Sequence, residues 1–183
     1  MKLILAAEII FDEAKHEYFY RGKKLSGVTG LIAKKLGLKF QSEFVGEHAA
    51  EGIHVHKAVQ KWIETGESGS IHHGVQWVVE KLKHPKHYFS EVLVSDFKQY
   101  ASSVDIVFVE QGTNNLCIYD IKKGKFNREY VTWQLSVYKY LIEKHSQYKV
   151  TACFCLAVKD KEEYPIFPKK AEAVEELLYG LIS

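Results

Sequence analysis

The sequence predicts an α/β fold in which a mixed central β-sheet is flanked by helices. Three β-rich runs follow one another between residues 88 and 122, and segments with the 3.6-residue apolar period of helices lie on either side of them. A further apolar strand comes after the second of these helical segments, so helices and strands alternate. The chain has 183 residues, of which 46% are hydrophobic, so we expect a single domain with one sizeable core.

We treat residues 1–183 as this single domain. Its N-terminal part predicts a hairpin followed by three helices. Two short β-like runs with turn residues between them indicate the hairpin. We treat residues 1–26, which contain it, as an N-terminal extension of a core at residues 40–160. Apolar residues at spacings of three and four indicate the helices. The helices are expected at residues 26–37, from Ser42 to about 65, and from about 72 to 83.

The C-terminal part predicts three strands, a helix, a strand and a helix. A Gln-Gly-Thr-Asn sequence at 111–114 is typical of a hairpin turn between the second and third strands. The last helix is expected to have Pro168 in its first turn, where the missing amide costs little. The expected bounds are 88–96, 102–110 and 116–122 for the strands, 128–144 for the helix, 149–158 for the next strand and 168–181 for the last helix.

Composition and charge exclude several classes of protein. Twenty-five basic and 23 acidic side chains give a net charge of +2, too balanced for binding DNA by bulk charge, so a nucleic acid would have to meet local basic patches. No apolar run approaches 18 residues and the opening run is too short for a signal peptide, so we expect a cytoplasmic protein without a membrane partner. Cys153 and Cys155 alternate with apolar residues, which predicts reduced thiols in the core.

Two of the predicted strands carry the charges that most suggest chemistry. Asp105 is a lone charge in an apolar run, and such charges are rare unless they are paired or bind a metal. If the turn uses residues 111–114, Glu110 lies opposite Asn115 and Asp105 lies opposite Asp120. Their Cβ atoms would then be about 5 Å apart. Two carboxylates at that distance repel each other unless a cation lies between them.

Lys122 follows Asp120 by two positions and is expected on the same face of the strand. Two carboxylates and an ammonium group would then meet at one place. Such oxygen ligands suit Mg²⁺ or Mn²⁺, which also bind phosphate oxygens. A neighbouring lysine can position a water molecule or stabilise charge that develops on phosphorus. The pattern predicts phosphodiester hydrolysis, and the Asp-x-Lys tripeptide alone leaves open a structural ion pair.

Four motifs occur in order along the chain. They are Gly52-Ile53-His54-Val55-His56, Val104-Asp105-Ile106-Val107, Tyr119-Asp120-Ile121-Lys122-Lys123-Gly124 and Gln134-Leu135-Ser136-Val137-Tyr138. Over about residues 9–160 the chain resembles the PD-(D/E)xK nuclease superfamily, in particular its RecB-like and phage-type exonuclease branch. The resemblance implies a restriction-endonuclease-like αβββαβ core, which agrees with the order of elements expected above.

The resemblance also implies a metal site. Asp105, Asp120 and the carbonyl of Ile121 would hold Mg²⁺ or Mn²⁺. His56 and Glu91 would complete the ligand shell. A histidine packed in the core and a solvated carboxylate at a strand edge are the structural alternatives for these last two residues.

Catalytic roles follow from the same resemblance. Lys122 would orient or activate the attacking water. Gln134 and Tyr138 are four residues apart on one helix face and would support Lys122 or contact DNA. Asp96 is a weaker alternative to Glu91, on the opposite face of its strand. A core-facing helix whose polar groups bond to the backbone is the alternative for Gln134 and Tyr138.

A basic run with an aromatic residue follows the motif that contains Lys122. Lys123, Lys125 and Arg128 could follow a phosphate backbone, although basic turns are often merely solvated. Three cysteines cannot supply the four ligands of the iron–sulfur cluster that some RecB-like nucleases carry, so no cluster is expected.

We therefore expect a Mg²⁺- or Mn²⁺-dependent deoxyribonuclease, by resemblance an exonuclease. Its substrate would be linear single- or double-stranded DNA in phage or bacterial recombination, repair or processing. A DNA-binding or assembly module that no longer cuts is the main alternative. A sequence-specific endonuclease is less favoured because 183 residues leave little room for a recognition region. The resemblance also allows a homo-oligomer or a recombination partner protein.

Overall fold

The predicted mixed sheet is confirmed by a computed structural model that describes residues 5–38, 47–70 and 72–180. Within these residues the sheet has eight strands, in the order β1-β2-β3-β5-β6-β7-β8, with β4 paired to β5. The β3–β5 and β6–β7 pairs are parallel and the others antiparallel. The strands are β1 (Ile9–Asp12), β2 (Glu17–Tyr20), β3 (Lys23–Gly27), β4 (Tyr88–Ser95), β5 (Tyr100–Val109), β6 (Asn115–Lys122), β7 (Lys149–Ala157) and β8 (Glu162–Pro165).

Five helices accompany the strands in the described residues. They are α1 (Val28–Lys35), α2 (Glu47–Thr65), α3 (His73–Leu82), α4 (Arg128–His145) and α5 (Ala171–Tyr179), with a short 3₁₀ turn at Pro85–His87. The order α3-β4-β5-β6-α4-β7 confirms the expected arrangement of the core. The expected start of the second helix at Ser42 lies outside the described residues. In the described part of the chain, none of the helices has the length and apolar character needed to cross a bilayer.

Both faces of the sheet are covered. One face packs on α1, α4 and α5 through a core that includes Ile118 and Leu135, and the other packs on α2 and α3 through Val59 and Ile121. Burial on both sides explains why the central strands are nearly continuous apolar runs. Cys153 and Cys155 are free and buried in the first core, as predicted.

The sheet divides at β5. Ala101 pairs with both β4 and β3, whereas Ile106 pairs with both β4 and β6. Since a strand has two edges and β4 occupies one of them, β3 and β6 share the other. Residues 102–105 lie between these two partners, and we call this gap the fork.

Three expectations for the local structure were wrong. The second run of the hairpin is two strands, because Arg21 and Gly22 have φ angles of 48° and 79° and form a tight turn. The strand β8 was not predicted. The last helix begins at Ala171, not in a turn containing Pro168; the amide of Lys169 instead donates to the hydroxyl of Ser136.

Candidate active site

The predicted register of β5 and β6 is confirmed. Ile106 pairs with Tyr119, and the turn at 111–114 is closed by a 3.0 Å hydrogen bond between the main chains of its flanking residues. The next position of this register places Asp105 opposite Asp120. The ladder ends there, so both acidic residues lie at the closed end of the fork.

The Asp105 carboxylate joins the two sides of the fork. Its Oδ2 accepts a 2.7 Å hydrogen bond from the amide of Ile121. In the β5–β6 register Ile121 lies opposite Val104, so the carboxylate replaces the main-chain acceptor that this amide would have in a continued ladder. The side chain of Asp105 is only 13% exposed, and its Oδ1 lies 3.7 Å from Nδ1 of His56 on α2.

A backbone irregularity places Glu91 beside this carboxylate. Glu91 lies opposite Asp105 in the β4–β5 register and has a φ angle of 49°. Phe89 and Val92 contact the same core although they are three residues apart, so the alternation of side chains is broken between them. A left-handed conformation at a residue other than glycine costs roughly 1–3 kcal/mol, and such strain is common at functional sites.

His56, Glu91 and Asp105 form a cluster in the fork. One side-chain ligand atom from each residue lies within 4.8 Å of the others. Nδ1 of His56 is 3.9 Å from Oε1 of Glu91, and the second oxygen of Glu91 accepts a 2.8 Å hydrogen bond from the hydroxyl of Ser103. Three elements, α2, β4 and β5, thus each contribute one potential metal ligand.

The charges in this cluster change the pKa values of its own side chains. Burial alone would lower the pKa of His56, but the Asp105 and Glu91 carboxylates outweigh it and raise the pKa to about 9. Burial raises the pKa of Asp105 to about 6; the His56 cation opposes this change and Asp120 adds to it. Without a metal, His56 therefore carries a proton at neutral pH and supplies the positive charge of the cluster.

Asp120 faces a different partner. Its Oδ1 and Oδ2 lie 3.1 and 2.9 Å from Nζ of Lys122, which confirms that the two side chains share a face. The lysine also donates to Oε1 of Gln134 at 3.4 Å, and the Gln134 amide donates to the Tyr138 hydroxyl at 2.8 Å. Ser102 completes this chain with a 3.1 Å hydrogen bond to Tyr138.

The Lys122 amine remains protonated in this setting. Burial favours the neutral amine, but Asp120 and Asp105 outweigh it and raise the pKa of Lys122 above its ordinary value. Burial likewise raises the pKa of Tyr138 well above its ordinary value, so its phenol keeps a proton. An ammonium group held in this way can donate hydrogen bonds and stabilise negative charge, but it cannot accept a proton.

The residues present fit a divalent metal ion. Ligands on an ion at about 2.0–2.2 Å lie about 3 Å apart. The ligand atoms of Glu91 and Asp105 lie 3.9 and 3.7 Å from Nδ1 of His56, and all three lie within 4.8 Å of one another, so these separations would contract by about 1–2 Å around an ion. Asp120 is 1% exposed, and within the described residues its Oδ2 has the 2.9 Å ion pair with Nζ of Lys122 but no hydrogen bond of good geometry. Its position beside the cluster provides a further acceptor for a cation. The role of the Ile121 carbonyl as a ligand stays a prediction.

The other predicted residues have separate environments. Oδ1 of Asp96 accepts three main-chain amides in the β4–β5 turn, so this weaker alternative to Glu91 has a structural role. Nη2 of Arg128 donates to a carbonyl of β8 at 3.1 Å, which fixes its side chain beside that strand. Lys125 is exposed, and Lys123 is partly buried. Contact between these three basic residues and DNA stays a prediction.

Two serines and a tyrosine near the fork were not predicted. Ser102 contacts Tyr138 and Ser103 contacts Glu91, as described above. Tyr18 of the hairpin is buried against the fork, where burial raises its pKa to about 12 and where it hydrogen-bonds with Ser102. The signal that could have found the serines is a pair of adjacent small polar residues inside an otherwise apolar strand.

No protein-family model matches the chain, and no curated protein matches its sequence significantly. Membership of the PD-(D/E)xK superfamily therefore stays a prediction from the motifs.

Proposed function

We propose that this chain is a cytoplasmic, divalent-metal-dependent nuclease that hydrolyses phosphodiester bonds in DNA. The observation that carries the proposal is the fork, where the His56–Glu91–Asp105 cluster lies beside the buried Asp120–Lys122 pair. Hydrolysis of a phosphodiester needs fixed positive charge near the phosphate and an oriented water molecule. The fork supports both needs, with a candidate ion site and an ammonium group that belong to helix α2 and strands β4, β5 and β6.

The donor set favours Mn²⁺ over Mg²⁺. His56, Glu91 and Asp105 would hold the ion, and Asp120 would contribute its Oδ2, which now pairs with Lys122. Carboxylates suit both metals, but an imidazole nitrogen is a poorer ligand for Mg²⁺. When bound, the ion would supply Lewis-acid charge to phosphate oxygens and to the attacking water.

The chain's own residues would orient the reactants. Lys122 would donate a hydrogen bond from Nζ to the attacking water or to a phosphate oxygen. Asp120 and Gln134 hold that nitrogen from two sides, and Tyr138 fixes the orientation of the Gln134 amide. Since Lys122 stays charged, its contribution is orientation and charge stabilisation. Loss of one such donor typically lowers the rate by about 100- to 1000-fold.

A cleavage assay with end-labelled linear DNA and Mn²⁺ tests the proposal. Lys122→Met should lower the rate by about 100-fold or more, measured on protein whose folded state circular dichroism confirms, because the change leaves the buried Asp120 carboxylate without its partner. The matched control is Lys139→Met, which removes another half-buried lysine that pairs with Glu143 on α4 away from the fork. Equal rates for Lys122→Met and the unmodified chain would contradict the proposal.

The unmodified chain distinguishes the remaining possibilities. DNA binding without Mn²⁺-dependent cleavage would identify a DNA-binding module and refute the nuclease proposal. Cleavage of linear but not closed circular DNA would establish exonuclease action. Cleavage of both substrates would establish an endonuclease.

A further inference from the structure

An exposed phenylalanine lies in the segment between β8 and α5. Phe167 is 79% exposed, the largest value among the large apolar side chains of the described residues. Single exposed apolar residues are common, so exposure alone carries no meaning. Here, however, the residues on both sides are fixed: Ile166 is buried and its amide donates to the carbonyl of Cys153 at 2.9 Å, and the Lys169 amide donates to Ser136 at 2.8 Å. The ring is therefore held outward by an anchored main chain.

Cationic side chains lie close to the segment that contains Phe167. Nζ of Lys35 and Nζ of Lys169 lie 4.7 and 5.4 Å from the ring centroid of Trp133, and Lys169 also pairs with Glu129 at 2.8 Å. These contacts bring the end of α1, the start of α4 and the segment after β8 together at one surface. Lysine packing of this kind is stabilised by the negative face of the indole ring.

Two further cations in or near this segment have no acidic partner among the described side chains. Lys125 and Lys170 are exposed, and neither has a carboxylate partner within the described parts of the chain. The guanidinium of Arg128 is fixed by the carbonyl of Pro165, two residues before Phe167. An anchored, exposed aromatic ring in a segment with cations nearby is complementary to a nucleic acid strand, whose phosphates are anionic and whose bases stack.

This surface continues into the fork. Residues 123–127 connect Lys122 directly to α4, and Phe126 in this connection packs edge-on against Tyr164 of β8 at 5.5 Å. Tyr130 in the first turn of α4 is close enough to Lys122 for the two to influence each other's titration. A strand that leaves the fork at Lys122 would therefore meet the surface that contains Phe167.

We propose that this surface binds an unpaired DNA strand next to the cleavage site, with a base stacked on Phe167. It consists of Lys35, Lys125, Arg128, Phe167, Lys169 and Lys170. An unpaired strand fits because stacking needs a free base face, which a duplex offers only at its ends. The choice of DNA rests on the proposed nuclease function, while the stacking surface rests on its own contacts.

Fluorescence anisotropy with the full chain tests this inference. The probes are a labelled single strand of about 16 nucleotides and a blunt duplex of the same sequence, both in Ca²⁺ to limit cleavage. Phe167→Ala should weaken single-strand binding by about 5- to 150-fold, the range typical of base–aromatic stacking, and Phe167→Trp should restore it. Lys170→Gln should reduce the slope of log affinity against log salt by about 0.7. Ile10→Ala, which removes another exposed side chain on the distant hairpin, is the matched control.

The possible results separate the inference from the proposed function. Unchanged single-strand binding by Phe167→Ala overturns the inference, and so does an equal loss on the blunt duplex. A change of oligomeric state in Phe167→Ala, measured by sedimentation, would overturn it in favour of a contact with a second copy. Mn²⁺-dependent cleavage together with unchanged binding by Phe167→Ala would support the nuclease proposal and refute the strand-binding surface. Single-strand binding that depends on Phe167, without Mn²⁺-dependent cleavage, would refute the nuclease proposal and support the strand-binding surface.

Discussion

Metal binding at the fork should depend steeply on pH, because His56 must lose a proton before its nitrogen can bind a cation. The carboxylates around His56 raise its pKa to about 9 in the metal-free protein. At pH 7 a histidine with this pKa is neutral in about one molecule in 100, so protonation weakens metal binding by about 100-fold. The affinity for Mn²⁺ should therefore increase about tenfold for each pH unit between about pH 6.5 and 8.5.

Isothermal titration calorimetry measures this effect directly. Mn²⁺ titrations at several pH values give the slope, and titrations in two buffers with different ionisation enthalpies give the number of protons released, which should be about one at pH 7. His56→Gln removes the titrating nitrogen, so its weaker affinity should vary much less with pH above 6.5. An affinity of the unmodified chain that does not change between pH 6.5 and 8.5 would refute the placement of His56 beside Glu91 and Asp105.

Three further predictions concern the residues around the site. The metal-free protein should lose up to about 3 kcal/mol of stability as the pH rises from 6.5 to 9, because the folded state binds the His56 proton more tightly than the unfolded chain does. Chemical denaturation at several pH values measures this loss of stability, and the His56→Gln substitution should abolish it. Ser102→Ala should lower the cleavage rate about tenfold by removing one hydrogen bond that holds Tyr138, with Mn²⁺ affinity unchanged; a loss of affinity instead would contradict a positioning role. Asp96→Ala should lower the free energy of unfolding by about 2 kcal/mol because three turn amides lose their acceptor. The cleavage rate of Asp96→Ala should stay unchanged, and a proportional loss of rate would place Asp96 in the active site.

The core of the site could be predicted from the sequence because a short turn determines strand register. Four turn residues at 111–114 place Asp105 opposite Asp120, and side-chain alternation places Lys122 on the face of Asp120. These relations depend only on local chain geometry. The helix period similarly places Gln134 and Tyr138 on one face, where the structure has them in direct contact.

The parts that were missed depend on tertiary contacts. No residue propensity predicts the left-handed conformation of Glu91, which breaks the alternation of β4 and places its carboxylate beside His56. The strand β8 is short and charged, and it forms because β7 offers it a free edge. The start of the last helix is delayed because the Lys169 amide bonds to Ser136 on α4, a contact between residues 33 positions apart.

The hydrogen bond from the Ile121 amide to Asp105 gives this aspartate a structural role that does not depend on catalysis. A related protein without catalytic activity would still need Asp105, because replacing it would leave the buried amide of Ile121 without a hydrogen-bond acceptor. Lys122 contributes no such repair to the sheet. A homologous sequence that keeps the aspartate but has lost the lysine would thus have preserved this hydrogen bond, and the aspartate alone would not be diagnostic of an enzyme.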